Sequence, residues 1–243
     1  MSCPTIARAT ATSGCGSMVD TFACARAQVY HNTAKKSPAQ IKAETGCSHI
    51  INGYLFNGKF QPVGWTVIDG QIISRDAYRD WGLSIGNDNK PRMLTDRGGS
   101  FLSGVPILKG GAKLYRELTP DVARAAARTA IGWLANGKVV LWCDKTAMTR
   151  KTLQNKLLGL GVEDALMLDG GGSTQGIFPG GKVISSRKVP TLMLFWEETP
   201  AKAEDPAIAW GKAKGLLTDA NAGETVTREA LVRALYKLEG GHG

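Results

Sequence analysis

The chain is poor in the side chains that build metal centres and nucleophilic triads. It has three histidines, His31, His49 and His242, and the last lies in a glycine-rich C-terminal tail. A site of several imidazoles is excluded on that count. A Ser-His-Asp triad could draw only on His31 or His49, and no G-x-S-x-G elbow is there to expose a nucleophile. The five cysteines (Cys3, Cys15, Cys24, Cys47 and Cys143) are odd in number and form no CxxC pair, which excludes zinc-ribbon ligation. No apolar run approaches the ~18–20 residues that cross a bilayer. The opening residues MSCPTIARATATSG lack the apolar stretch of ~7–15 residues that a standard secretory signal needs.

Glycine, by contrast, is abundant, at 30 of 243 residues. It follows no three-residue period, so collagen is excluded and a loop-rich or β-rich fold is favoured. Hydrophobic residues make up 43% and charged residues 21%, the balance of a globular chain. Basic residues outnumber acidic ones by 30 to 21, and the excess is uneven. The first 196 residues carry 24 basic and 13 acidic side chains, whereas the remainder carries 6 and 8. A basic body with a non-basic tail suits an anionic partner: nucleic acid, a phosphorylated sugar or an acidic wall polymer.

Local punctuation marks out the elements. In KKSPAQIKAETG, Ser37 reads as an N-cap, Pro38 as the first helical residue and Gly46 as the stop, giving a helix from Pro38 to about Thr45. SHIINGYLF reads as a buried strand turning at Asn52-Gly53. GWTVIDGQIISR reads as a hairpin joined at Asp69-Gly70. RMLTDRGGSFLSGVPILKGGAKL is β-like. Thr119-Pro120-Asp121 opens a second helix over an alanine-rich stretch to about Ala127, followed by a hairpin turning at Asn136-Gly137. Thr149 caps a third helix to about Leu158, with Leu153, Leu157 and Leu158 on one side. VEDALMLD reads as an interior strand leading into GGGST. A hairpin at Gly180-Gly181 and the strand TLMLFWE close the body. This pattern predicts an α+β domain with a mixed, largely antiparallel sheet and flanking helices over residues 1–198.

TPAKAEDP reads as a linker. Two helical patterns follow. One places Ile208, Trp210 and Leu216 or Leu217 toward a core. The other is capped by Thr225 or Thr227 and places Leu231, Leu235 and Leu238 at helical spacing. Residues 199–243 thus form a small helical appendage.

The segment richest in chemistry is ALMLDGGGSTQG. An apolar strand ends in Asp169; Gly170, Gly171 and Gly172 then permit left-handed backbone and close approach of a ligand. Successive amides of such a turn can form an anion nest, and Ser173 and Thr174 add hydroxyl donors. A nucleotide P-loop would need a lysine and a helix here, whereas GIF follows. Arg128, upstream, offers a two-pronged donor set for phosphate. Asn52 stands where a strand meets its turn.

Together these segments resemble the phosphodiester glycosidase family. INGYLFN, FLSGVPILKGG, ARTAIGWLANGKVVL, TRKTLQNKLLGLGVEDAL and LMLDGGGST occur in that family's order and spacing, from about Ile50 to Trp196. Tyr54, Leu55 and Phe56 stand where the family shows N-x-G-F-F, and Ser173-Thr174 where it often shows two serines. The resemblance implies a hydrolase that cuts the glycosidic C–O bond of a sugar phosphodiester. Asp169, Arg128 and Asn52 would be catalytic, and Gly170, Gly171, Gly172, Ser173 and Thr174 would bind phosphate. No cofactor or metal is expected; Asp88 and Asp164 are the other carboxylates considered for a second acid. The rival readings are a non-catalytic carbohydrate-binding or phage structural protein, and a nucleic-acid binder. The latter lacks an aromatic–basic RRM surface and a helix-turn-helix signature.

The tail, AIAWGKAKGLLTD to ETVTREALVRALYKL, is similar to a shortened S-layer-homology repeat, which implies a cell-wall polymer as partner. The expected substrate is an anionic glycan or sugar phosphate, with neither membrane nor nucleic acid as partner. The expected place of action is outside the cell or in its envelope, for a protein of a Gram-positive bacterium or a phage.

Overall fold

The computed structural model describes residues 16–75, 81–115, 117–199, 206–214, 232–233 and 235–237. The chain divides into two units, Met1–Glu198 and Thr199–Gly243.

The first unit opens with β1 (Ser17–Phe22), β2 (Cys24–His31), α1 (Pro38–Thr45) and β3 (His49–Asn52). Next come β4 (Thr66–Ile68), β5 (Gln71–Ser74), β6 (Gly82–Ile85), β7 (Pro91–Leu94), β8 (Ser100–Ser103), β9 (Val105–Lys109) and β10 (Ala112–Lys113). It continues with α2 (Pro120–Ala123), β11 (Ala126–Leu134), β12 (Val139–Met148), α3 (Arg150–Gly159) and β13 (Val162–Met167). It ends with β14 (Gly176–Phe178), β15 (Gly181–Val183) and β16 (Thr191–Glu197). The strands form three sheets, ordered β1-β12-β11-β13-β9-β10, β15-β14-β3-β16-β2 and β5-β4-β8-β6-β7. Every described ladder is antiparallel. The fold is α+β and mainly β.

The local signals act as physical chemistry requires. Ser37 Oγ accepts from the Gln40 amide while the Gln40 side chain accepts from the Ser37 amide, a closed capping box, and Gly46 ends α1 in the left-handed conformation. Asp69 and Gly70 both have positive φ, the backbone of a two-residue hairpin turn. Thr149 Oγ1 accepts from the Thr152 amide to start α3. The inward face of that helix is Leu153, Gln154 and Leu157, with Leu158 only partly covered. Gln154 is tolerated there because its amide nitrogen donates to the Ile107 and Leu114 carbonyls.

Two expectations are corrected. The second helix stops at Ala123, and Ala126 and Ala127 belong to β11. Ala126 pairs with Met148 of β12 ahead of a register shift, and from Ala130 onward β11 is also bonded to β13, so pairing of this strand outweighs alanine's helix preference. The last hairpin turns at Pro179-Gly180, one residue early, because Gly181 pairs with Phe178.

The main core joins the sheets through fully buried side chains such as Ile51, Leu83, Ile107, Leu141, Leu166 and Phe195. Each contributes roughly 1.5–3 kcal/mol of burial. No helix among the described residues is long and apolar enough to cross a membrane.

In the second unit, α4 (Pro206–Ala213) buries Ile208 against Val232, and Trp210 meets Tyr236 edge-on at 6.0 Å. Residues 232–233 and 235–237 are helical. Leu216, Leu217, Thr225, Thr227, Leu231 and Leu238 lie outside the described residues.

Candidate active site

β13 is an apolar strand buried between β11 and β9, and its end aims the next residues at a pocket. The Leu168 amide still bonds the Thr129 carbonyl; the Asp169 amide crosses to Gly53 at 3.1 Å. At Gly170 the chain runs so close to β11 that a Cβ would stand 2.5 Å from the Ala127 oxygen. Gly171 follows with φ of 57°, and Gly171–Ser173 form one 3₁₀ turn. The amides of Gly171 and Gly172 head that turn, where no internal acceptor exists.

The turn walls one end of a pocket of about 450 Å³. Tyr54–Gly58, following β3, form another wall. Arg124 and Arg128 enter from α2 and β11, and Arg187 from the loop after β15. The lining therefore holds three arginines and one carboxylate, Asp169.

Arg128 is only 3% exposed. Its Nε donates to the Met148 carbonyl and its Nη1 to the Val122 carbonyl, each at 3.1 Å, and Nη2 donates to the Arg124 carbonyl. Backbone oxygens fix the fork, and no carboxylate among the described residues pairs with it. Burial, then the charges of Arg124 and Arg150, pull its pKa down. A buried cation held this way favours an incoming anion.

Asp169 accepts from the Gly170 amide at 2.8 Å. Burial holds its carboxyl above the usual carboxylate range, while Ser173, the Gly170 amide and Arg187 pull the other way. The Ser173 hydroxyl is near enough to favour the anion yet makes no hydrogen bond of normal geometry. The Arg187 guanidinium lies against Gly172, where a Cβ would meet its Cζ at 3.2 Å.

The sequence-predicted residues thus divide. Asp169, Arg128, Gly170, Gly171 and Gly172 line the pocket. Asn52 does not. It is wholly buried behind Asp169, with Nδ2 donating to the Gly53 and Asp169 carbonyls and Oδ1 accepting from Thr129 Oγ1 and the Gln175 amide. Its side chain holds the backbone on both sides of the glycine turn. Ser173 and Thr174 are also fully buried and absent from the lining, because the tight turn presents glycines outward and rolls both hydroxyls toward the core. Asp88 is engaged by Arg92, which holds it at about 2, and Asp164 pairs with Lys109; neither lines the pocket.

His49 does stand between Ser48 Oγ, at 2.8 Å, and Asp20 Oδ2, at 3.0 Å. The ring is fully buried against Phe22, and the Ser48 hydroxyl is shared with Phe195 and Glu197, so this is a core network and no nucleophile. Burial pushes the Cys24 and Cys143 thiols up to about 12, far from thiolate reactivity. Among the described residues no three His, Cys, Asp or Glu side chains converge as metal ligands.

Sequence reasoning missed Arg124, Arg187 and most of the Tyr54–Gly58 wall. Arg124 had a signal, since R-A-A-A-R brackets the entry to β11. Arg187 had none, because only the fold brings its loop over Gly172.

A model of the phosphodiester glycosidase family matches residues 45–196. The catalytic domain of zebrafish N-acetylglucosamine-1-phosphodiester alpha-N-acetylglucosaminidase, auto-inhibited by its pro-peptide, is 18% identical. It has a TM-score of 0.59 over 79% of this chain and 87% of its own. A hypothetical protein from Synechocystis is 12% identical, with a TM-score of 0.58 over 78% of this chain and 61% of its own. These two likenesses are of fold. No curated protein matches the sequence.

Proposed function

The chain belongs to the phosphodiester glycosidase family, and from that premise we propose that it hydrolyses the glycosidic C–O bond of a sugar phosphodiester in bacterial envelope or polysaccharide material. The observation that carries the reading is the pocket's charge: three arginines and one carboxylate around a glycine turn.

In this reaction the anomeric C–O bond breaks and its electron pair stays on the phosphate oxygen. The departing phosphomonoester has a second pKa near ~6, so it leaves without a strong acid. Arg128, locked by carbonyls, and the exposed Arg124 and Arg187 hold the phosphate. Asp169 takes a proton from the water whose oxygen bonds the anomeric carbon. Its raised pKa keeps it a better base than an ordinary aspartate.

The test is release of sugar from the methyl ester of N-acetylglucosamine-1-phosphate. Wild type should turn over, and Asp169→Asn should be slower by roughly 100-fold or more. No turnover by wild type, or equal turnover by the variant, would sink the hydrolase. Binding of the ester without turnover would favour the carbohydrate-binding alternative. The same reading gives the C-terminal unit, which is similar to a shortened S-layer-homology repeat, a wall polymer as partner. Co-sedimentation with purified Gram-positive walls tests that, and failure to sediment would remove both the partner and the envelope setting it supports.

A further inference from the structure

The cationic lining does not end at the pocket. The Met148 carbonyl that holds Arg128 lies two residues before Arg150, which opens α3. The Arg150 guanidinium stands 5.5 Å from the centroid of the Tyr115 ring. Tyr115 is 63% exposed, while the Leu114 carbonyl just before it is pinned by Gln154 Nε2 at 3.0 Å. An aromatic face is thus anchored by its backbone and presented to solvent beside a cation. Lys113, next along the chain, bonds Asn155 through its ammonium group. Arg124 lines the pocket itself. Arg124 and Arg150 both act on the charge of Arg128, so the three guanidinium groups share one field.

We propose that Arg150 and Tyr115, with Arg124 leading to them, form a second subsite on the leaving-group side of the pocket. It takes the next sugar–phosphate unit of a repeating anionic glycan. This inference rests on the pocket being a glycosyl-phosphodiester site. Arg128 holds the scissile phosphate and Asp169 faces the sugar being released, so the phosphate's other ester arm leaves past Arg128, toward Arg124 and Arg150. The unit arriving there must supply a negative charge for the arginines and a flat apolar face for the ring. The C–H face of a pyranose and the phosphate joined to it supply both. A neutral glycan offers no anion, and a lone phosphodiester offers no flat apolar face.

The experiment compares kcat/KM of the full chain for two probes. One is the methyl ester of N-acetylglucosamine-1-phosphate, and the other is a synthetic oligomer of four N-acetylglucosamine-1-phosphate units. Wild type should prefer the oligomer by about tenfold, through KM, and added salt should shrink that preference. Tyr115→Ala and Arg150→Gln should each lower the oligomer-to-ester ratio toward parity. Equal kcat/KM for both probes in wild type, or a preference untouched by either variant, would overturn the subsite. If neither probe is cleaved, the hydrolase reading fails instead, and calorimetric binding of the oligomer by wild type and Tyr115→Ala judges the subsite alone. Equal binding by the two overturns it, and so does tighter, Tyr115-dependent binding of a thymidine oligonucleotide.

Discussion

The carboxamide nitrogen of Asn52 donates to the main-chain oxygen of Asp169 at 2.8 Å, joining residues 117 positions apart. The opposite face of the same carboxamide accepts the Gln175 amide at 3.1 Å, so one side chain ties both ends of the glycine turn to β3. The Gln175 N–H can only donate, which fixes which atom of Asn52 is the oxygen. Asn52→Leu fills similar space but orphans these partners. It should cost about 1–3 kcal/mol, read from the urea midpoint, and lower kcat more than it raises KM. A variant as stable and as active as wild type would show that the turn holds itself.

Arg128 is a buried brace and, in the proposed reaction, the anion holder, and two substitutions separate the roles. Arg128→Ala should reduce kcat/KM on the single phosphodiester by roughly 100-fold or more. Arg128→Lys keeps the charge but cannot serve three carbonyls in one plane, so it should recover only a minor part. Full activity in the lysine variant would mean that charge alone matters.

The acid limb of the pH–rate profile should report Asp169, active as the anion and silenced as pH falls through its raised pKa. Arg187→Ala removes a group that favours the anion, so the limb should move to higher pH; Arg187→Lys should leave it closer to wild type. A limb that stays put or moves down in Arg187→Ala would contradict the assignment. The same raised pKa means the folded state holds this proton more tightly than the unfolded chain. Stability from the group is present in acid and lost as pH rises through the folded pKa. Asp169→Asn should therefore raise Tm at neutral pH, with the gain fading in acid.

Alanine should separate the first two glycines of the turn. At Gly170 the new Cβ meets backbone, the Ala127 oxygen at 2.5 Å, and β11 must shift, a cost of about 1–3 kcal/mol. At Gly171 the new Cβ meets nothing within 4 Å, and only the positive φ opposes it, at about 1 kcal/mol. Chemical denaturation of the two variants gives the order, and the reverse order would place the close approach elsewhere.

What could be read from the chain was what its neighbours in sequence decide. Ser37, Gln40 and Gly46 bracket α1 within a few residues, and the Asp69-Gly70 turn needs only its own dihedrals. Asp169 was legible because an apolar strand followed by three glycines is a local pattern. The end of α2 was not, since Ala126 is claimed by Met148 of the distant strand β12. The sides of the turn were not legible either. Whether Ser173 faces a ligand or the core depends on how Gly170 packs on Ala127. Arg187 reaches the site only because β15, β14 and β3 are neighbours in one sheet.

The pocket borrows its walls from the segment after β3, from β9, α2 and β11, from the turn after β13 and from the loop after β15, and no contiguous stretch owns it. Half-made copies consequently lack a whole pocket: a ribosome that has finished Arg128 and even Asp169 has still not delivered Arg187 or the closing strand β16, which pairs with β3. The lining is complete only once Arg187 has been added, and β3 gains its neighbour β16 later still, so the pocket belongs to the finished unit and to no shorter piece of it.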